Sequence, residues 1–145
     1  MSTRACIAFG IGDGDDWRGR YHHFDGYPSG LGQSLYALAQ EWDPATMKRV
    51  LLNEHTGWST INDADWSLPP GYGDGDQPKC YCHGERDEDG WLVEPSSIVK
   101  SDMEWLYVIR GRSMDVHAIN YKVGVGPILA TVNFDGPEPD WDAIG

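Results

Sequence analysis

Hydrophobic and polar positions along this chain follow two rhythms, a period of two and a period near 3.6. Residues 5–11 form an apolar run containing Cys6, Ile7 and Phe9, which predicts a buried strand. A turn of Gly12, Asp13, Gly14, Asp15 and Asp16 follows, and residues 17–24 predict a second strand, rich in aromatics and free of proline. The two strands form a hairpin. Alternation puts Trp17, Gly19, Tyr21 and His23 on one face and Arg18, Arg20, His22 and Phe24 on the other. Asp25 and Gly26 signal a turn, and Tyr27, preceding Pro28, is pushed toward an extended backbone. Ser29 then stands where it would cap a helix whose first turn holds Gly30, Leu31 and Gly32. Leu31, Leu35, Leu38, Ala39 and Trp42 recur at helical spacing. Asp43 as cap and Pro44 at the first position open a second helix, with Met47, Val50 and Leu51 on one side and Gly57 closing it.

Periodicity is then lost. Residues 62–90 form a long Gly-, Pro- and Asp-rich loop, a functional lid or a disordered insertion, with Trp66, Tyr72 and Tyr81 as aromatics able to dock on the body. Residues 91–93 are a short strand. Residues 103–109 and 114–119 alternate strongly and predict a hairpin turned by Arg110, Gly111, Arg112 and Ser113. Residues 128–134 predict a further strand. The acidic tail, residues 135–145, is loose unless Trp141 and Ile144 dock. The whole, residues 1–145, reads as one α+β domain. Its expected architecture is a mostly antiparallel sheet of hairpins with two helices packed on one face and a long irregular loop.

The chain has 145 residues, seven Trp, seven Tyr and a net charge of −12. That size and aromatic content suit a single folded core. The charge argues against nonspecific contact with nucleic acid or an anionic membrane and favours a basic protein surface as partner. No apolar run is long enough for a membrane span and no secretory leader is evident, so a bacterial cytoplasm is the expected compartment. Three cysteines do not suggest a disulfide framework.

Candidate chemistry concentrates at the strand–helix corner. Backbone N–H groups at a helix start, with glycine permitting close approach, suit an anion. Arg18, Arg20, His22 and His23 arrive just before it, and Tyr21, Tyr27 or Trp17 could stack on a base. The expected ligand site therefore comprises Arg18, Arg20, Tyr21, His22, His23, Asp25, Tyr27, Ser29, Gly30 and Gly32. An alternative use of the same corner is hydrolysis, with Asp25 orienting His23 as general base, provided the strand persists past Phe24. Elsewhere, Cys80, Cys82 and His83 form a weak zinc candidate, with His22, His55 or His117 as the distant fourth ligand; no other cofactor is expected.

The start Met1, Ser2, Thr3, Arg4, then Tyr21, His23, Asp25, Gly26, Tyr27 and Pro28 with Gly32 and Leu35, resembles a family of small uncharacterised proteins of bacteriophages, prophages and actinobacteria. The resemblance covers the first quarter of the chain. His22 and Phe24 stand where that family has cysteine and tryptophan. It implies a phage-type accessory protein and little more; combined with the candidate anion site, it makes an anti-defence role the expectation. Two functions follow as expectations: sequestration of a small anionic, nucleotide-like ligand without turnover, or an acidic inhibitor covering a basic face of a host protein. Turnover is not the favoured expectation. The oligomeric state stays open, a homo-oligomer included.

Overall fold

The computed structural model describes residues 3–71, 75–81, 92–98, 101–120 and 122–144. The chain is α+β. Among the described residues, one mixed sheet of eight strands accompanies four α-helices. The strands are β1 (Ala5–Gly10), β2 (Trp17–His22), β3 (Trp58–Thr60), β4 (Lys79–Cys80), β5 (Leu92–Val93), β6 (Trp105–Arg110), β7 (Ser113–Asn120) and β8 (Gly124–Asn133). The helices are α1 (Gln33–Glu41), α2 (Pro44–Lys48), α3 (Pro95–Ile98) and α4 (Trp141–Ile144). The order across the sheet is β4-β3-β2-β1-β6-β7-β8, with β5 paired to β2.

The sheet departs from the expected set of antiparallel hairpins. β1 pairs with β6 in parallel, and β2 pairs with β3 in parallel at His22 and Trp58. The β1–β2 and β6–β7 hairpins are antiparallel, as their alternation predicts. β1 lies at the centre, and this explains its sequence. Both faces of a central strand are covered, so Ala5, Cys6, Ile7, Ala8 and Phe9 are all buried and read as a continuous apolar run.

Side-chain alternation in β1 and β6 divides the core between two faces. Ala5, Ile7, Phe9, Tyr107 and Ile109 join one buried cluster, together with Leu35, Leu38 and Ala39 of α1 and Met47 of α2. Cys6, Ala8, Leu106 and Val108 join the other, with Trp17, Val93 and Ile98. Each fully buried aliphatic or aromatic side chain contributes about 1.5–3 kcal/mol relative to exposure.

Two helix starts differ instructively. Asp43 caps α2 as expected, its carboxylate accepting the Thr46 N–H at 2.7 Å. Ser29 caps nothing. Pro28 takes the first helical position, which makes Tyr27 the cap residue, and residues Pro28–Gly32 form a wide π-helical turn leading into α1. A second such turn, Arg49–Asn53, extends α2. The tail turns back onto the body. Trp141 is buried against Gly32 and Tyr36, and its indole N–H donates to Glu138 at 2.7 Å.

Candidate functional site

The structure distributes the residues of the expected anion site over several surroundings. β2 ends at His22, and its alternation separates them. The Arg18 guanidinium is held by Asp16 at 3.0 Å and Glu94 at 3.3 Å. Arg20 donates through Nε to the Leu52 carbonyl at 2.9 Å, which ties β2 to the turn at Arg49–Asn53. His22 is fully buried and accepts the Ile61 N–H on Nε2 at 3.0 Å. Tyr21 and His23 form a separate pair, with the Tyr21 hydroxyl 2.5 Å from His23 Nδ1 and Tyr81 stacked on Tyr21. Burial raises the Tyr21 pKa, so the phenol stays neutral.

The helix start is also occupied. Gly30 N–H bonds the Tyr27 carbonyl at 2.9 Å, and Leu31 N–H bonds the carbonyls of Asp25 and Tyr27, both at 3.0 Å. Gly30 is glycine for a packing reason, since a Cβ there would lie 2.4 Å from the Asp25 carbonyl oxygen. At Gly32 a Cβ would meet Trp141 Cζ3 at 3.0 Å. These glycines serve close approach within the chain.

What the corner does build is one wall of a cleft of about 480 Å³. Asp25, Tyr27, Ser29 and Gly30 line it, continued by Gln33, Ser34 and Glu41 along α1. The opposite wall is Ile61, Asn62, Asp63, Ala64 and Trp66. Asn62 clamps the walls together, its side-chain amide donating to the Asp25 carbonyl at 3.1 Å. Trp66 is wedged edge-on between Trp42 at 4.8 Å and Trp58 at 5.7 Å, which fixes its ring at the cleft. Asp25 and Asp63, at φ 53° and 55°, are the non-glycine residues of left-handed backbone among the described residues, and both line this cleft. Aspartate tolerates that conformation better than most residues.

The electrostatics of the cleft are one-sided. Asp25, Glu41 and Asp63 contribute carboxylates, and among the described residues its lining contains no Lys, Arg or His. The Asp25 carboxylate raises the Tyr27 phenol pKa, which keeps that hydroxyl protonated as a donor. A carboxylate about 4 Å from a phosphate costs on the order of 1 kcal/mol even in water. The arrangement therefore suits a cation or a neutral hydrogen-bonding group.

A His23–Asp25 hydrolytic pair required β2 to continue past Phe24. It stops at His22, and the left-handed backbone at Asp25 breaks the alternation that would have put the two side chains on one face. His23 Nδ1 is engaged by Tyr21 instead. Of the zinc candidates, Cys82 and His83 lie outside the described residues. Cys80 is buried and disulfide-bonded, although three cysteines suggest no disulfide framework, and its sulfur is not available as a thiolate ligand. The distant histidines are engaged elsewhere: His22 with Ile61, His55 against the Trp58 ring at 4.8 Å, and His117 Nδ1 with the Gly126 carbonyl at 2.9 Å. Among the described residues no group of three or more His, Cys, Asp or Glu is placed to hold a metal ion. None of the helices there is long and apolar enough to cross a membrane.

The sequence pattern points to one corner of the cleft: Asp25, Tyr27, Ser29 and Gly30. It misses Glu41, Asn62, Asp63 and Trp66. Trp66 alone carried a signal, as a large aromatic in an otherwise polar segment. No family model, no curated protein and no solved structure matches the chain.

Proposed function

We propose that this protein is a non-enzymatic, acidic binding protein that engages a basic face of another protein through the cleft between α1 and residues 61–66. The observation that carries this reading is the lining of that cleft, which among the described residues has three carboxylates and no basic side chain. A net charge of −12 attracts a basic partner over a distance and speeds encounter. Trp66 and Tyr27 supply aromatic surface on which an Arg or Lys side chain packs. The resemblance of the first quarter to phage proteins supports an accessory role, in which an acidic chain blocks a host surface that otherwise grips nucleic acid.

This reading is favoured over sequestration of a nucleotide-like anion. Arg18 and Arg20 are spent on internal contacts, and the amides at Gly30 and Leu31 already have carbonyl partners.

The test is fluorescence anisotropy with a labelled Arg- and Lys-rich peptide, and with a labelled cyclic dinucleotide in parallel. The peptide is expected to bind, to weaken as salt rises, and to lose about tenfold or more in affinity in the D25N/E41Q/D63N variant. Dinucleotide binding without peptide binding, or a peptide affinity indifferent to the three substitutions, would overturn the proposal.

A further inference from the structure

Alternation places Leu106, Val108 and Arg110 of β6, with Asp115 and His117 of β7, on the sheet face opposite α1. There they line a second cavity of about 340 Å³, within the roughly 300–1,000 Å³ of small-ligand sites. Its floor is apolar, since Trp17, Leu106 and Val108 are all buried. Ile128 of β8 lines it too and is 52% exposed. Arg110 lies flat across Gly10 of β1: a Cβ at position 10 would meet its Nη1, and its Cζ at 2.8 Å. Glycine there makes room for the guanidinium, which forms no hydrogen bond or ion pair among the described residues. β6 lies between β1 and β7, so the Arg110 head turns away from the strand that carries Asp115. Asp115, opposite Val108 in the register, accepts the Thr131 hydroxyl on Oδ1 at 2.9 Å, and its Oδ2 has no partner among the described residues. His117, two residues on, points Nδ1 at the Gly126 carbonyl at 2.9 Å. Nδ1 therefore carries the proton, and Nε2 is left as an acceptor.

We infer that this cavity binds a free α-amino acid with an apolar side chain. Its carboxylate bonds Arg110, its ammonium bonds Asp115 and His117, and its side chain covers the floor of Trp17, Leu106 and Val108. Charge selects this occupant. A simple anion meets Asp115 and also Asp15, which lines the same cavity in a chain of net charge −12. A simple cation meets Arg110. A neutral apolar molecule leaves the charges of both signs without partners, and a zwitterion satisfies them together. The spacing agrees. β1 and β7 stand two inter-strand steps apart, about 9.6 Å. Two hydrogen bonds of about 2.9 Å, on either side of an ammonium and a carboxylate about 3 Å apart, span about 9 Å. A guanidinium donates to both carboxylate oxygens, and an ammonium has donors enough for Asp115 and His117 at once. A bound apolar side chain also takes Ile128 out of water. The inference is independent of the acidic cleft, which lies on the α1 side of the sheet.

The experiment is an NMR titration of the full chain, following backbone amides, with L-phenylalanine and L-leucine. Three comparators run in parallel. N-acetyl-L-phenylalanine lacks the ammonium, L-phenylalaninamide lacks the carboxylate, and glycine lacks the side chain. At least one of the two parent amino acids is expected to shift the amides of Gly10, Val108, Asp115 and His117 saturably, with a Kd of about 1 mM or tighter. Each comparator should bind at least about tenfold more weakly. Arg110→Gln and Asp115→Asn should each weaken the parent amino acid by about tenfold. The absence of a saturable shift with both amino acids at about 10 mM, ten times that Kd, overturns the inference. So do shifts centred on other residues, an acetylated or amidated form that binds as tightly as its parent, or a folded Arg110→Gln protein that binds like wild type. The ligand comparison on the wild-type chain decides the matter if the variants fail to fold.

Discussion

The hydroxyl of Tyr107, fully buried on β6, donates to the carbonyl of Gly26 at 2.5 Å across a gap of 81 residues. That bond fastens the corner carrying Asp25 and Tyr27 to the centre of the sheet. The Gly26 N–H makes a second tie, to the Thr3 carbonyl at 2.8 Å. Burial pushes the Tyr107 pKa well up, so the phenol remains a donor throughout the physiological range. Tyr107→Phe keeps the ring and leaves a buried carbonyl without its donor. It is expected to cost about 1–3 kcal/mol and to lower Tm by about 3 °C per kcal/mol. Urea and thermal unfolding measure this, and an unchanged midpoint would show that the corner stands without the bond.

How far this arrangement could be read from the residues depends on how local each cause is. The β6–β7 hairpin is legible because alternation and turn lie within one stretch, and its pairing from Trp105↔Ala118 to Arg110↔Ser113 follows from them. The parallel pairing of Ala5 with Trp105 has no local signal, since nothing near either residue records the other. β3 and β4, three and two residues long, are too short to show a period. At the helix start two local preferences compete: serine is a good cap, but proline's preference for the first helical position moves the cap to Tyr27. The same distinction divides the candidate site. Asp25 and Tyr27 belong to a recognisable turn, while Asp63 and Trp66 come from a segment without period and reach the cleft only through tertiary contacts such as Asn62 with Asp25.

His22 gives the fold an acid sensitivity with a defined window. It is fully buried, its Nε2 accepts the Ile61 N–H, and its Nδ1 has no hydrogen-bond partner among the described residues. Burial first, and the neighbouring His23 second, lower its pKa from 6.5 to about 3. Below pH 6.5 the unfolded chain takes up a proton that the folded chain refuses, so stability falls as pH drops from about 6.5 toward 3. The slope from this residue approaches ~1.4 kcal/mol per pH unit. Urea unfolding between pH 7 and pH 4.5 should show the decline. His22→Gln keeps an acceptor for Ile61 without titrating, and should flatten the curve; equal slopes in the two proteins would remove His22 from the account.

Trp141 and Gly32 form a second long-range lock on the same turn. Trp141 is 6% exposed, and a Cβ at position 32 would press on its ring at 3.0 Å. Trp141→Ala is expected to cost about 3–5 kcal/mol through the cavity it leaves. Gly32→Ala forces the indole to shift in the wild-type background but meets only the Tyr107 ring, at an ordinary contact distance of 3.4 Å, once the indole is gone. A double-mutant cycle should therefore show coupling of at least about 0.5 kcal/mol, with Gly32→Ala milder in the Trp141→Ala protein. Additive effects would place the strain elsewhere.

Asn62 separates the shape of the cleft from its charge. Its amide donates to the Asp25 carbonyl at 3.1 Å and sits between two left-handed aspartates, at φ 53° and 55°. Without that clamp the wall of residues 61–66 keeps its ties through Ile61 and Trp66 but loses its bond to the Asp25 corner, and the spacing of the Asp25 and Asp63 carboxylates is less tightly fixed. Asn62→Ala removes no charge. If the cleft binds a basic partner through a preorganised arrangement, the substitution should weaken an Arg- and Lys-rich peptide by about 3- to 10-fold, equivalent to ~0.7–1.4 kcal/mol. The salt dependence of binding should stay unchanged, because the number of carboxylates is the same. In D25N/E41Q/D63N the reverse applies, and both affinity and salt dependence should fall. Anisotropy titrations at two salt concentrations distinguish the cases. An Asn62→Ala protein that binds as tightly as wild type would mean that net charge alone draws the partner, and that the cleft's geometry contributes nothing to recognition.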